Sequence, residues 1–227
     1  RRFGGKVYKL SLSSGCSCPN RDGTLGTRGC LFCDGAGAFA ETGDIPSQLR
    51  RAKARLHGKE GRGRYLAYFQ SFTNTYAPAE YLRPLFEEAI APEEVVALSV
   101  ATRPDCLPPE ILDLLAELNG RKPVWVELGL QTIHEETADW IRRGYPLPVY
   151  AQAVQALRQR EISVITHQIL GLPGETADKM VQTARYIGAS GADGIKLHLL
   201  HVLRGTDLAA LYQQGRIDTL SLDDYIT

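Results

Sequence analysis

Four of the five cysteines stand in one short stretch near the start of the chain, at positions 16, 18, 30 and 33. Cys18, Cys30 and Cys33 have the spacing C-x11-C-x2-C, and glycines occupy positions 23, 26 and 29 in the gap. Thiolates are the soft ligands that iron–sulfur clusters and zinc prefer, and glycines let the backbone pass close to a compact inorganic body. Three ligands would leave one metal position open. The stretch therefore predicts a metal centre.

Two other interpretations of these cysteines stay open at this point. One is a structural zinc ion held by all four sulfurs, although zinc ribbons usually pair two C-x2-C units. The other is a disulfide, but nothing in the sequence indicates secretion. Cys16 stands two residues before Cys18, a poor separation for one cluster, so we expect a buried free thiol there. Cys106 is interpreted as a core residue or as a reactive thiol that faces a substrate.

Composition limits the classes of protein that the chain can represent. Its 227 residues are 44% hydrophobic, with 26 basic and 26 acidic side chains, which predicts a single domain over residues 1–227. The neutral balance gives no overall electrostatic attraction for nucleic acid. We see no membrane-spanning run and no signal peptide, and expect a cytoplasmic protein. Residues 223–227 resemble the opening of another helix, which predicts a domain truncated at its C-terminus.

The cysteines need a scaffold, and six segments have the length and apolar character of strands. These strands are predicted at residues 6–12, 64–71, 95–101, 124–130, 162–170 and 194–200. Helical patterns lie between and after them, at residues 44–58, 79–91, 108–119, 132–144, 149–160, 176–189 and 206–214. The repeat is the length of a βα unit, and continuous apolar runs are typical of parallel strands covered by helices.

Two architectures fit such a repeat: an open doubly wound sheet, or part of a βα barrel. Nearly every predicted strand ends in polar residues, such as the cysteine loop, Thr102 to Asp105, Gln131 and His198 to His201. In a barrel all these strand ends meet at one mouth, whereas in an open sheet they spread along an edge. The pattern favours a barrel, which with six strands would be incomplete and open on one side.

Seven motifs along the chain resemble the radical S-adenosylmethionine (SAM) superfamily. The segments are CPNRDGTLGTRGCLFC, YFQSFTNTY, TRPDCLP, ELGLQT, RRGY, ILGLPGET and GIKLHLLHVLRGT. Within the superfamily they are similar to the bacterial YtqA/YhcC-like branch, which is related to the catalytic subunit of Elongator. The resemblance covers almost the whole chain and implies an α/β fold, the partial (β/α)6 TIM-like barrel with parallel strands and outer helices.

The resemblance also implies the cofactors and the reaction. Cys18, Cys30 and Cys33 would bind a 4Fe–4S cluster, and SAM would occupy the open iron. An electron from the reduced cluster, supplied by a donor such as flavodoxin or ferredoxin, would cleave SAM to methionine and a 5′-deoxyadenosyl radical. That radical would abstract hydrogen from the substrate. No catalytic side chain is assigned.

Several residues are candidates for binding SAM. By the resemblance, Gln70 and Asn74 at the end of the second strand would hold the methionine ammonium. Glu127 is an acid in an apolar strand, so we expect it either near SAM in the barrel interior or in an internal salt bridge. Gln131 is the candidate for the ribose.

The remaining SAM candidates lie later in the chain. Arg143 would bind the SAM carboxylate through its two-pronged guanidinium, or would be a solvated arginine at a helix end. The turn formed by Gly171, Leu172 and Pro173 resembles loops that pass the adenine, and the backbone around Leu199 and Leu200 would act similarly. His198 and His201 are candidates to face the substrate.

The resemblance further implies a tRNA substrate, modified on the side chain of a wobble uridine. Basic residues cluster at Arg1-Arg2, at positions 50–53 and at positions 59–64, with Tyr65 and Tyr68 near them in sequence. Such patches can bind phosphate and stack on bases. Two alternatives stay open: a radical SAM enzyme that acts on a small molecule or peptide, and a zinc-stapled binding module without catalysis. The oligomeric state is not indicated.

Overall fold

The fold was analysed in a computed structural model, which describes residues 3–34, 42–56 and 63–226. These residues form one parallel sheet in which every strand pairs with the next one along the chain, from β1 to β6. The strands are β1 (Val7–Leu12), β2 (Arg64–Phe69), β3 (Val95–Thr102), β4 (Val124–Gln131), β5 (Ser163–Leu170) and β6 (Gly194–Leu199). The predicted strands are thus confirmed.

Helices connect consecutive strands, and the last two follow β6. They are α1 (Ile45–Ala54), α2 (Ala79–Ile90), α3 (Pro109–Asn119), α4 (Glu135–Trp140), α5 (Leu147–Arg158), α6 (Ala177–Ala189), α7 (Asp207–Gln213) and α8 (Leu222–Ile226). A single 3₁₀ turn, Pro104–Cys106, follows β3. The curled parallel sheet with outer helices confirms the predicted partial barrel, and β1 and β6 are its two unpaired edges.

The main hydrophobic core lies between the outer face of the sheet and the helices. Leu10, Leu98 and Val126 are fully buried on their strands, and Leu82 and Leu115 of α2 and α3 belong to the same cluster. The inner face differs, because Lys9, Ser99, Glu127 and other polar side chains point into the half-barrel and contact one another there. The outer face is apolar and the inner face is polar. This difference determines which face of the sheet packs against the helices.

Side-chain caps lie at the starts of α1, α6 and α7, where Thr206 caps α7 by accepting from the Ala209 N–H at 3.1 Å. Asp44 accepts a hydrogen bond from the Ser47 backbone N–H at 2.7 Å at the start of α1, and Thr176 does the same for Lys179 at 3.4 Å at the start of α6. These caps satisfy backbone donors that the first turn of a helix leaves unpaired. The caps of α1 and α6 follow loops that leave the mouth of the barrel, so they help to set where those loops end.

The region predicted as one helix up to Gly144 is shorter than expected. α4 ends at Trp140, and the chain then adopts left-handed backbone at Arg142 (φ 60°) and Gly144 (φ 82°). The prediction of a helix to Gly144 was wrong because this turn directs the carbonyls of Arg142 and Arg143 toward the cysteine loop. Arg1-Arg2 and most of the basic segment at positions 59–64 lie outside the described residues.

Among the described ranges, we find no helix that is both long enough and apolar enough to cross a membrane.

The core predicts a large stability cost for removing Phe69. Its ring is fully buried and meets the ring of Phe86 edge-on, with centroids 4.8 Å apart. We expect Phe69→Ala to lower the free energy of unfolding by about 3–5 kcal/mol, measured by urea denaturation. The control Val181→Ala removes methyl groups from a side chain that is 46% exposed and should change stability by less than about 0.5 kcal/mol. Equal losses in the two variants would contradict the assigned core.

Candidate active site

The cysteine loop folds back on itself through backbone hydrogen bonds. The N–H groups of Arg21 and Asp22 both donate to the Cys18 carbonyl, at 2.8 and 3.2 Å. Farther along, the Gly29 N–H donates to the Asn20 carbonyl at 2.7 Å. These bonds close the eleven-residue gap between the first two ligand candidates. The long gap therefore forms a compact loop that brings its two ends together.

The thiols of Cys30 and Cys33 have raised pKa values, partly because other cysteines of the loop lie near them. Burial and the neighbouring Cys33 raise the pKa of Cys30 to about 11. Burial, with a contribution from Cys18, also raises the pKa of Cys33, although Arg21 opposes this. Gathered thiolates in a partly buried site are unfavourable unless a cation compensates them, and bound iron supplies that compensation. The donor set therefore fits an iron–sulfur cluster.

Among the described residues the cysteines show neither a grouped zinc site nor a disulfide. Four thiolates around one zinc ion lie about 3.8 Å apart, given a tetrahedral site with Zn–S bonds of about 2.3 Å. Within residues 3–34, 42–56 and 63–226, no three His, Cys, Asp or Glu side chains are grouped closely enough for one metal ion. All five cysteines are free thiols. A cluster separates its ligands more widely, because each sulfur binds a different iron.

Cys16 and Cys106 lie apart from this arrangement. Cys16 packs against the main hydrophobic core, and burial raises the pKa of its thiol. Cys106 is buried, and its thiol lies 3.8 Å from Asp105. Burial raises the pKa of Cys106 to about 12, and Asp105 adds to this, so a thiol that does not ionise near neutral pH is the form present.

The turn after α4 holds the cysteine loop from one side. The Asn20 side-chain amide donates to the Arg142 carbonyl at 2.7 Å and lies 3.4 Å from the Cys30 sulfur. Gly144 comes so close that a Cβ there would stand 2.7 Å from the Asn20 Oδ1 atom. The loop and the turn can meet in this way only because residue 144 has no side chain.

A second hydrophobic cluster holds the C-x2-C end of the loop against the later strands. Leu31, between Cys30 and Cys33, is buried in it, and Phe32 packs against it. The Leu31 N–H also donates to the Ile141 carbonyl at 3.1 Å. The other buried members come from the end of α4, from β5, from the segments after β5 and β6, and from the C-terminal part: Ile141, Ile169, Leu172, Leu200, Leu208 and Ile217. The ligand segment is therefore packed onto the barrel mouth.

A cavity of about 210 Å³ opens next to this segment. It brings together Gln131, Leu199 and Leu200 from the predicted SAM candidates, and His198 and His201 from the predicted substrate-facing residues. Its lining consists of Phe32, Gln131, His167, Ile169, His198, Leu199, Leu200, His201 and Leu203. The cavity is mainly apolar with a few converging polar groups, which is typical of small-molecule sites.

Strained backbone collects at the same mouth. Ser71 (φ 66°), Phe72 (φ 58°), Gln131 (φ 71°) and Arg142 (φ 60°) are non-glycine residues with left-handed backbone, and all follow or end elements that point to the mouth. Such conformations cost energy and tend to occur where a functional geometry requires them. At Gln131 the irregularity coincides with a shift in the pairing of β4 with β5. The strain marks the mouth as the functional end.

Arg143 is not a solvated arginine, because its side chain is only 2% exposed. Its guanidinium donates to the carbonyls of Thr132 and Tyr145 at 2.7 and 3.0 Å, and it forms a salt bridge with Glu135 at 2.8 Å. The Glu135 carboxylate already neutralises the positive charge of Arg143, which the carboxylate of SAM would need as its partner. The observed contacts therefore connect α4 to the end of β4, and the proposed SAM contact stays a prediction.

Asn74 has no hydrogen-bonding position left for SAM. Its amide donates to the carbonyls of Ser71 and Ala101, and its oxygen accepts hydrogen bonds from the Ser14 backbone and hydroxyl. An asparagine side chain offers two donors and one oxygen with two acceptor positions, so all are used. Asn74 instead connects the ends of three strands. Gln70 follows β2, with its backbone N–H 3.0 Å from the Leu12 carbonyl, and its SAM contact stays a prediction.

Glu127 forms the internal salt bridges that were one of its two interpretations. Lys196 and His167 donate to its Oε2 atom at 2.9 and 2.7 Å, Ser99 donates to Oε1 at 2.8 Å, and Lys9 lies 3.6 Å from Oε1. Burial alone would raise the pKa of Glu127, but the His167 hydrogen bond and the two lysine charges outweigh it and hold that pKa well below its usual value. Glu127 is thus an ionised group at the centre of the barrel interior.

The predicted adenine turn lies beside the cavity and does not line it. Leu172 is buried in the second hydrophobic cluster, and Pro173 is half-buried next to it. Gly171 has left-handed backbone (φ 82°), and a Cβ there would stand 2.8 Å from Leu220. The turn is thus covered by the C-terminal part of the described chain. A contact of its backbone with adenine stays a prediction.

The two tyrosines that were expected to stack on bases are not at the surface. Tyr65 and Tyr68 are both buried, at 5% and 4% exposure, and Tyr68 points into the barrel. Among the basic residues of α1, Arg50 bonds to Ser47 and Lys53 pairs with Glu94. Sequence proximity suggested a joint patch, but the alternation of β2 turns its tyrosines away from solvent.

Three side chains that form contacts at or beneath the mouth were not among the predicted site residues: Asn20, Lys9 and Lys196. The two lysines stand in otherwise apolar strands, where charged side chains are rare unless paired, and this signal could have identified them. Asn20 gave no such signal, because asparagine is common in glycine-rich loops.

The comparisons with known proteins identify the superfamily of the chain. Residues 23–187 match the model of the radical SAM superfamily, and residues 192–227 match the Radical_SAM C-terminal domain. The chain belongs to the radical SAM superfamily. It is therefore an enzyme of that class, with a 4Fe–4S cluster and SAM as its cofactors. Cys18, Cys30 and Cys33 are the residues that would hold the cluster.

Among individual proteins, the chain is 49% identical to YtqA of Bacillus subtilis, over 99% of this chain and 71% of that protein. It is 43% identical to YhcC of Escherichia coli, over 99% and 73%. A tRNA uridine(34) acetyltransferase of Methanocaldococcus jannaschii is 29% identical over 55% of this chain and 23% of that protein.

Among solved structures, archaeal Elp3 of Methanocaldococcus infernus superposes with a TM-score of 0.70 at 19% identity. That match covers 94% of this chain and 50% of the Elp3 chain. At this identity it shows a shared fold.

Replacing cysteines one at a time tests the ligand set. Cys30→Ala removes one of three thiolates, so we expect anaerobically reconstituted protein to lose most of its iron, its sulfide and its absorbance near 400 nm. Cys16→Ala removes a thiol that packs against the core. This variant should retain its iron, its sulfide and its absorbance near 400 nm. Iron and sulfide analysis of both variants measures this. Loss of the cluster from the Cys16 variant would contradict the assignment.

Gly144 offers a test of the contact between the loop and the turn. Gly144→Ala adds a Cβ against Asn20 and should reduce the iron bound after reconstitution to less than half. The matched control is Gly215→Ala, which has the same left-handed backbone (φ 65°) with nothing within 4 Å of the added atom. Both variants should lose about 1–2 kcal/mol of stability from strained backbone. Full iron loading of the Gly144 variant would contradict the role of this contact.

Proposed function

We propose that this chain is the catalytic core of a radical SAM enzyme that modifies tRNA, with the side chain of a wobble uridine as its target. The observation that carries the proposal is the cavity beside the cysteine loop, lined by Gln131, His198 and His201 together with apolar side chains. Its volume of about 210 Å³ is far too small for a folded polynucleotide. An RNA substrate would therefore present a single base at the mouth.

The RNA part of the proposal is supported by the relatives. One relative is named as a tRNA uridine(34) acetyltransferase, and the superposed Elp3 chain shares the fold. Neither similarity extends over the whole of those proteins, so the activity proposed here concerns the radical SAM half alone. A cytoplasmic location, where tRNA is abundant and thiols stay reduced, follows from the same proposal.

When bound, the cluster and SAM supply a 5′-deoxyadenosyl radical that can abstract hydrogen from carbon. The chain's own residues position the reaction and keep it from water. Phe32, Leu199 and Leu200 form the apolar wall next to the cysteines, and Gln131 offers an amide for the ribose of SAM. A reductant such as flavodoxin or ferredoxin would deliver the electron. Exclusion of water matters because a reactive intermediate would otherwise be quenched.

Comparison of tRNA from cells with and without the gene tests the substrate. We expect one modified uridine to disappear, or its precursor to accumulate, when total nucleosides are measured by mass spectrometry. Purified enzyme should then convert the precursor in tRNA from the deletion strain, in step with 5′-deoxyadenosine formation.

The Cys30→Ala variant serves as the control in both experiments and should restore nothing. A nucleoside profile that is the same with and without the gene would contradict the RNA proposal. Formation of 5′-deoxyadenosine by the same protein would then leave a small molecule or peptide as the substrate.

A further inference from the structure

The interior of the half-barrel contains a charged network that the proposed function does not use. Lys9 of β1 and Lys196 of β6 both reach Glu127, at 3.6 and 2.9 Å, although they come from the two opposite edges of the sheet. Both ammonium groups also lie over the Tyr68 ring, 3.9 and 4.9 Å from its centroid. Two lysines thus converge on one carboxylate.

The network has more positive than negative charge. His167 is neutral near pH 7, because burial lowers its pKa despite the hydrogen bond to Glu127. Glu127 is ionised, so two ammonium groups face a single carboxylate. One partner would be enough to neutralise a buried glutamate. The second lysine leaves an uncompensated positive charge in the interior.

The ammonium groups of Lys9 and Lys196 still have N–H donors that a ligand could use. Lys196 donates to Glu127 and to the Tyr68 hydroxyl, at 2.9 and 3.1 Å, and so uses two of its three N–H bonds. Lys9 has only the 3.6 Å approach to Glu127. The side chains of Lys9 and Lys196 are 40% and 32% exposed, so a ligand can reach them. Within the part of the chain that the structure describes, no further acceptor is recorded for their remaining donors.

The network continues directly into the cavity at the mouth. His167 donates through Nε2 to Glu127 at 2.7 Å, and its ring centre lies 4.8 Å from that of His198. Both histidines line the cavity. The buried Nε2 atom of His198 has no hydrogen-bond partner among the described residues, which is uncommon for a buried polar atom unless a ligand completes it. A polar path therefore leads from the cavity down to the lysines.

We propose that Lys9 and Lys196 form a subsite that binds an acidic group of the substrate, a carboxylate or a phosphate, while the reacting carbon lies in the cavity above. The substrate would then be a molecule, or a modified base, that carries its anion on a short arm. This deepens the proposed function, and it rests on that function only for the identity of the molecule that carries the anion.

Titration of small anions into the reconstituted, oxidised protein tests the subsite, with SAM present at saturation. The probes are acetate and inorganic phosphate, added at constant ionic strength, and the readout is the ¹H–¹⁵N spectrum of the lysine ammonium groups. We expect saturable shifts of the Lys9 and Lys196 signals with at least one probe, and the tighter probe identifies the chemistry. Absence of a saturable shift of both lysine signals with either probe would overturn the proposal.

Charge variants give effects of opposite sign. Lys196→Gln and Lys9→Gln should each weaken anion binding about tenfold or more, because each removes a charged hydrogen-bond donor. Glu127→Gln should tighten binding, because it removes the competing carboxylate. The control Lys53→Gln changes a half-buried lysine that pairs with Glu94 outside the barrel interior, and this variant should bind anions as the parent does.

A structural role alone would give a different pattern. If the lysines only neutralise Glu127 or protect the sheet edges, the lysine variants would lose stability with no change in anion affinity. Should Lys196→Gln fail to fold, the double variant Lys196→Gln/Glu127→Gln restores the charge balance, and it should still bind anions more weakly than Glu127→Gln alone. Equal affinity of these two variants would overturn the proposal. The titration needs no tRNA, so its outcome is independent of the nucleoside comparison.

Discussion

The site depends on one close contact, between the cysteine loop and the turn that follows α4. Asn20 donates to the Arg142 carbonyl at 2.7 Å, and Gly144 lies where any side chain would strike Asn20. A glycine-rich loop would otherwise have many conformations, and gathering three thiols would cost entropy. The loop closes against a turn that is itself held by the buried Arg143, and this contact restricts the conformations of the loop.

The partial barrel separates two kinds of environment around this contact. Its outer face is an apolar core that holds the helices, whereas its inner face contains ionised and hydrogen-bonding groups around Glu127. An incomplete barrel has two edge strands, and Lys9 and Lys196 extend inward from them. Inward-pointing charges also protect sheet edges from pairing with other chains. The open side therefore gives solvent access to the barrel interior, where the charged groups around Glu127 lie next to the cavity.

The sequence predicted the fold well because strand and helix periods are local properties. Continuous apolar runs identified β3 to β5, and polar residues after each strand indicated a common mouth. The side-chain partners were harder to predict, since they depend on how the sheet curves. Asn74 was predicted to bind SAM, but its hydrogen-bonding positions are occupied by groups at the ends of three strands. Tyr68 was predicted to lie at the surface, but its ring faces the barrel interior. Arg143 was predicted to bind the SAM carboxylate or to be a solvated helix-end arginine. Its burial was not predicted, because the left-handed turn at Arg142 has no clear sequence signal.

The central claim is that three cysteines hold an iron–sulfur cluster with one iron open to SAM. Electron paramagnetic resonance of the anaerobically reconstituted, dithionite-reduced protein tests it most directly, with spectra taken before and after SAM is added. The account predicts the signal of a reduced 4Fe–4S cluster whose g values shift on addition of SAM, because SAM binds at the open iron. A cluster signal that SAM leaves unchanged, or a colourless protein that contains zinc, would contradict it.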